Sequence, residues 1–124
     1  MGNERKKVLA VDDNVENLTA LKNTLKSIYD AYPCPSAQKM FALLEHIQPD
    51  IILLDVEMPQ MDGYEAAQKL KSSDKFREIP IMFLTSMEDE GSKKKGLSLG
   101  AVDFIRKPFD AASLLQRLET HLSS

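Results

Sequence analysis

Asp50-Ile51-Ile52-Leu53-Leu54-Asp55 runs directly into Val56-Glu57-Met58-Pro59-Gln60-Met61-Asp62-Gly63, and the reading of its first six residues decides the fold. Ile51 to Leu54 is an unbroken apolar run too short for a helix, which predicts a strand buried on both faces, as the central strand of a parallel sheet must be. Asp55 closes that strand. It is not placed to cap a helix, because Pro59 and Gly63 intervene before the helical pattern that begins near Tyr64. An acid therefore stands at the C-terminal end of a core strand with a loop beyond it, where open α/β sheets form their ligand crevice.

Working outward, Val8-Leu9-Ala10-Val11 predicts a first buried strand that ends in Asp12-Asp13-Asn14. Leu18, Leu21, Leu25 and Ile28 recur at helical spacing and predict a helix over 15–28 with Asn14 as its cap. Residues 30–35 read as a second strand, and the proline inside it is tolerable only at a sheet edge. Ser36 caps a second helix whose core face carries Ala37, Met40, Phe41, Leu44 and Ile47 and which Pro49 ends. A third helix spans 64–72 with Ala67 and Leu70 inward, and a fourth strand spans 79–84, ending in Thr85-Ser86.

Ser86 and Asp89 have the spacing of a capping box for a fourth helix over 88–99, which leaves Thr85 free of that role. This helix has few apolar positions, a Lys93-Lys94-Lys95 run, and Gly91 and Gly96, each costing about 1 kcal/mol relative to alanine, so it is expected to be the least stable. Gly100 suits its C′ position. Residues 101–105 give a fifth strand ending at Arg106-Lys107-Pro108, and Asp110 caps a last helix striped by Leu114, Leu115, Leu118 and Leu122.

Strands alternating with helices in this way predict an α/β fold, a doubly wound, five-stranded parallel sheet of flavodoxin-like order 2-1-3-4-5 with helices on both faces. The 124 residues are expected to form a single domain, 1–124. A composition of 43% hydrophobic and 28% charged residues excludes disordered and fibrous classes. The net charge of -3 argues against direct nucleic-acid binding, which draws on a basic excess. Cys34 is the one cysteine, so no internal disulfide forms, and with only His46 and His121 beside it there is no zinc set. The apolar run Val8–Val11 is too short for a signal peptide, nothing approaches the roughly 20 apolar residues of a membrane span, and the expected location is cytoplasmic, with no membrane partner.

The ends of strands 1, 3, 4 and 5 bring Asp12 and Asp13, Asp55, Thr85 and Lys107 to one crevice. Three carboxylates together repel, so at least one should be hard to ionise unless a hard divalent cation joins them. Magnesium suits the set, since it uses one or two carboxylates, keeps several waters and accepts a phosphoryl oxygen. The first strand-helix turn is acidic and has no glycine, the reverse of a nucleotide-phosphate cradle.

Val11-Asp12-Asp13-Asn14, Leu54-Asp55 with Met58-Pro59 and Met61-Asp62-Gly63, Leu84-Thr85-Ser86, and Gly100-Ala101 through Lys107-Pro108-Phe109 stand at four strand ends in order. In these motifs, and over essentially its whole length, the chain resembles a response-regulator receiver domain of two-component signalling, CheY-like in fold. The resemblance implies a phosphorelay switch rather than a turnover enzyme, promoting only its own phosphorylation and hydrolysis. It implies that Asp55 is the phosphoacceptor, a carboxylate nucleophile charged by a phosphohistidine on a histidine kinase or histidine phosphotransfer protein. Asp13 and Asp55 would bind Mg²⁺ directly, Asp12 largely through water, and the backbone carbonyl of Glu57 would complete the protein ligands. Lys107 would neutralise one phosphoryl oxygen and the Thr85 hydroxyl would bond another. The family's cis bond falls at Lys107-Pro108. Phe104 matches the aromatic that swings inward as the threonine moves, so that helix 4, strand 5 and helix 5 form the face that changes partner binding and could also pair two copies in a homodimer.

Each residue alone has a plainer explanation: Asp12, Asp13 and Thr85 as caps, Lys107 as a solvated lysine, Phe104 as an ordinary strand residue. Their joint placement favours the functional reading. His46 and His121 have no acidic or cysteine partner at ligand spacing, read as surface residues and are assigned no role, and the lysine run reads as a solvated face. Glu57 and Met87, two residues past Asp55 and Thr85, are expected to tune phosphoryl lifetime. Two other readings stand beside the switch. One is an Mg²⁺-dependent aspartyl-phosphate phosphatase, for which Glu57 has the spacing of an acid/base but no cap domain fits; the other is a receiver acting as a phosphate-independent binding module.

Overall fold

The computed structural model describes residues 5–86 and 90–122. Met87 and Asp89, the tuning position and half of the expected capping box, lie outside them. The elements alternate as β1 (Lys7–Val11), α1 (Val15–Leu25), β2 (Asp30–Cys34), α2 (Ala37–Leu44), β3 (Ile51–Asp55), α3 (Gly63–Lys71), β4 (Ile81–Thr85), α4 (Glu90–Ser98), β5 (Asp103–Arg106) and α5 (Ala111–Leu122). All strands are parallel in the order β2-β1-β3-β4-β5, the doubly wound arrangement expected from the alternation. β2, with Pro33, is indeed an edge.

The two central strands carry the core. Every residue of β3 and of β4 is buried, with helices on both sides leaving no face for water. Val8, Ala10, Ile51, Leu53, Met82 and Leu84 face α1 and α5, while Leu9, Val11, Ile52, Leu54, Ile81 and Phe83 face α2 and α3, the period-2 alternation of a strand expressed in two apolar layers. Register is pinned at the lower end, where the Lys7 amide donates to Asp50 Oδ2 at 2.8 Å. At the upper end a Cβ on residue 63 would lie 2.3 Å from the Asp55 carbonyl oxygen, so only glycine lets α3 start against the tip of β3.

The expected caps Asn14 and Ser36 each accept from the amide three residues on, as does Asp62, a cap the spacing did not disclose, and the expected cap Asp110 accepts through Oδ2 from the Ser113 amide at 3.0 Å. Gly100 takes φ +92°, and Ala101 N donates to Gly96 O at 3.2 Å, closing α4 with a Schellman turn. That turn occupies residues 100 and 101, so β5 starts at Asp103 rather than Ala101.

Two helices are shorter than the apolar periodicity predicts. α1 stops at Leu25 and leaves Ile28 49% exposed. The guanidinium of Arg5 donates to the carbonyls of Lys26, Ile28 and Tyr29, satisfying the frayed end from outside, and Tyr29 buries in place of Ile28. α2 stops at Leu44, with a further turn made by His46 N and Ile47 N on Leu43 O, so Ile47 is only half-buried. Elsewhere α3 starts one residue early on its Asp62 cap, and β4 pairs from Ile81.

Candidate functional site

β1, β3 and β5 deliver their terminal side chains to one crevice of about 530 Å³, lined by Asp12, Asp13, Asp55, Glu57, Ser86 and Lys107, with Asn14, Asn17 and Pro108 at its margin. Asp55 is 1% exposed and Asp12 fully buried, whereas Asp13 is open to solvent. One oxygen from each of the three carboxylates fits within 4.8 Å of the others. Lys107 reaches over them from the end of β5, its Nζ 2.9 Å from Asp55 Oδ1 and 3.4 Å from Asp12 Oδ2. The bond preceding Pro108 is cis, as the motif led one to expect.

The two buried acids are held differently. Asp12 Oδ1 accepts from the Asn14 amide at 2.9 Å and Oδ2 from the Asn17 side chain at 3.2 Å, so Asp12 is anchored to the start of α1. Asp55 Oδ1 accepts from Lys107 and from the Glu57 amide at 3.2 Å. Asp55 Oδ2 is buried and accepts no hydrogen bond among the described residues, a rare condition for a carboxylate oxygen and one that a cation relieves. Burial raises the Asp55 pKa to about 7, the Lys107 hydrogen bond opposes that rise, and the Asp12 charge adds to it. Burial also works to depress Lys107, but its hydrogen bond to Asp55 and the charges of Asp55 and Asp12 outweigh that, and its pKa is raised.

The hindered ionisation thus falls on Asp55, through burial first and the neighbouring Asp12 charge second. An orphaned buried oxygen, hard oxygen donors and a hindered ionisation together fit a hard divalent cation held by Asp12, Asp13 and Asp55.

Thr85 is 4% exposed and faces another cavity. It lines a space of about 520 Å³ along β5, with Phe104, Lys93, Arg106 and Arg117. The Thr85 carbonyl accepts from Lys107 N at 2.8 Å, which ties the ends of β4 and β5 together. Phe104 already lies inward, its ring 5.8 Å from that of Phe83 and packed over Gly96.

Several participants were not apparent from local spacing. Asn17 follows Asp12 by five residues and lies less than one helical turn past the Asn14 cap, a weak signal. Ser86, expected as half of a capping box, bonds across to Glu57: its hydroxyl donates to Glu57 Oε1 at 2.5 Å and its amide to the same oxygen at 3.1 Å. His121, with no acidic partner at ligand spacing in the sequence, meets one from another element: its Nε2 lies 3.0 Å from Asp103 Oδ2, while Asp103 Oδ1 holds Arg117. Asp103 sits on β5, so no spacing within α5 could have disclosed it. The lysine run Lys93–Lys95 is exposed, as expected, and Lys95 Nζ also stands 4.7 Å from the centre of the Tyr64 ring.

Residues 8–119 match the family model described as response regulator receiver domain. The chain is 36% identical to the response regulator PleD of Caulobacter vibrioides over 92% of its own length and 25% of PleD's. It spans less than half of the length of several other curated relatives too. Among solved structures, chemotaxis protein CheY4 of Vibrio cholerae superimposes with a TM-score of 0.90 at 29% identity, covering 95% of this chain and 99% of that one. The receiver domain of sensor histidine kinase PA1611 from Pseudomonas aeruginosa, whose structure holds a magnesium ion in the active-site cleft, matches with a TM-score of 0.86 at 29% identity over 97% and 99% of the two chains. No helix among the described residues is long and apolar enough to cross a membrane.

Proposed function

The chain belongs to the response regulator receiver domain family of two-component signalling, and from that premise we propose that it is a phosphorylation-dependent switch in which Asp55 accepts a phosphoryl group from a partner phosphohistidine. The observation that carries this reading is the state of Asp55. It is buried at a strand end with Lys107 on one oxygen and no hydrogen bond on the other. Residues 1–124 act here as one receiver domain.

In the transfer, the phosphorus–nitrogen bond of phosphohistidine breaks as an Asp55 oxygen bonds to phosphorus, and the imidazole leaves with the electron pair. The nucleophile must be the carboxylate, yet burial holds the Asp55 proton on up to about pH 7. Asp12, Asp13, Asp55 and the Glu57 carbonyl would hold Mg²⁺, which supplies the positive charge that ionises Asp55 and neutralises phosphoryl oxygens. Lys107 adds a fixed ammonium that faces Asp55 Oδ1 and can follow the phosphoryl oxygens. Glu57 and Met87 tune the lifetime of the product.

Thr85 lies in the neighbouring cavity and must turn to reach a phosphoryl oxygen, vacating space beside Phe104. The face built by α4, β5 and α5 is the output surface, for a target protein or a second copy of the chain. Two measurements test the two halves. Label should pass from a phosphorylated histidine phosphotransfer domain to this protein in Mg²⁺ and not to Asp55→Asn. Beryllofluoride, a phosphoryl mimic, should change hydrogen-exchange protection across residues 90–107, and unchanged protection would sink the switch.

The phosphatase alternative is disfavoured by Glu57, whose Oε1 is held by both the hydroxyl and the amide of Ser86. Multiple turnover on a small phosphomonoester would reverse that judgement.

A further inference from the structure

Glu57 touches both loops of the crevice. Its amide donates to Asp55 Oδ1 at 3.2 Å, while its side-chain Oε1 accepts from the Ser86 amide at 3.1 Å and the Ser86 hydroxyl at 2.5 Å. Ser86 directly follows Thr85. We propose that the Glu57 carboxylate is a resting-state latch that ties the loop after β3 to the loop after β4 through Ser86, and that phosphoryl charge at Asp55 releases it. The inference rests on the reading of Asp55 as phosphoacceptor and adds a positioning role that the reading does not need.

Both donors of one residue converge on one charged oxygen, the short and strong kind of hydrogen bond. The latch is made by the Glu57 carboxylate, one oxygen of which accepts from both the Ser86 hydroxyl and the Ser86 amide. It spans a crevice that already holds Asp12, Asp13 and Asp55 against the single ammonium of Lys107. A phosphoryl group on Asp55 places further negative charge beside Glu57, and like charges at this range repel. The cheapest relief is for the flexible Glu57 side chain to swing into solvent. Ser86 is then unfastened, and with it the backbone that Thr85 must carry when it turns. Before phosphorylation the same bonds hold Thr85 away from the crevice.

The test compares wild type with Glu57→Ala, Ser86→Ala, the double variant and Ser86→Thr, each charged by acetyl phosphate in Mg²⁺. Loss of a latch present only at rest should speed phosphoryl uptake about tenfold in Glu57→Ala and about threefold in Ser86→Ala, which keeps its amide donor. The double variant should be no faster than Glu57→Ala, since a hydroxyl without its carboxylate has nothing to release. Ser86→Thr, which restores the hydroxyl, should behave as wild type, and dephosphorylation should be unchanged in Ser86→Ala.

Wild-type uptake in Ser86→Ala beside fast uptake in Glu57→Ala, or effects that multiply in the double variant, would overturn the latch in favour of a bare charge effect. If wild type takes up no phosphoryl group, the acceptor reading has failed instead, and the latch is judged on the resting protein. There the Ser86 amide should exchange about tenfold faster in Glu57→Ala than in wild type. Equal exchange would remove the latch, and faster exchange would leave the tie between the loops standing without its phosphoryl release.

Discussion

Phe104 occupies the volume that any side chain on residue 96 would need: a Cβ built on Gly96 would lie 2.4 Å from Phe104 Cζ and 3.1 Å from Phe83. The ring can lie inward because α4 offers it bare backbone. Gly96 is therefore not only a weak point in a helix. Replacing an exposed helical glycine by alanine stabilises by up to about 1 kcal/mol, but overpacking here costs about 1–3 kcal/mol. Gly96→Ala should lose roughly 1 kcal/mol in urea unfolding, and the loss should shrink in Gly96→Ala/Phe104→Leu. A stabilised Gly96→Ala would show that Phe104 moves aside freely.

The Asp55 pKa of about 7 makes a prediction for stability without metal. The unfolded chain releases this proton near 3.8, so between the two values the folded protein holds a proton that the unfolded chain has lost. Asp55 therefore contributes stability below about pH 4 that is lost as pH rises through about 7. In EDTA at pH 8, Asp55→Asn should be more stable than wild type by on the order of 1–3 kcal/mol, less than the full shift because Lys107 loses its partner. The difference should close as pH falls to about 4. Wild type equal to the variant at both values would mean that Asp55 ionises without penalty.

Magnesium should bind the folded protein and not the unfolded chain. At ten times its Kd it should stabilise wild type by about 1.4 kcal/mol, raising Tm by about 3–6 °C. Asp13→Asn should abolish most of that gain with little effect on metal-free stability, because Asp13 is solvent-exposed. An undiminished gain in Asp13→Asn would take Asp13 out of the ligand set.

Gln60, in the loop after β3, has φ +69°. A β-branched side chain is poorly tolerated there, so Gln60→Val should cost about 1–2 kcal/mol in thermal or urea unfolding while Gln60→Gly should be neutral or mildly stabilising. Equal losses in both would place the cost elsewhere.

What the sequence disclosed was local. The buried run before Asp55, the caps Asn14, Ser36 and Asp110, and the Gly100 turn each depend on residues within a few positions, so pattern and side-chain chemistry sufficed. The strand-end acids came together because parallel crossovers leave every strand pointing the same way. What stayed hidden was set by residues distant in sequence. Arg5 ends α1 from before β1, Asp103 meets His121 from β5, Glu57 reaches Ser86 across the crevice, and Phe104 explains a glycine that propensity alone counts as a defect. The side on which Thr85 lies was equally out of reach, since a residue at the end of a strand can face either neighbouring cavity.

The acceptor itself is tested most directly by intact mass after incubation with acetyl phosphate, with and without Mg²⁺. Wild type should gain the mass of one phosphoryl group, labile to base and dependent on Mg²⁺, and Asp55→Asn should gain none. An equal gain in Asp55→Asn, or no gain in wild type under conditions in which Mg²⁺ raises its Tm, would contradict the assignment of Asp55.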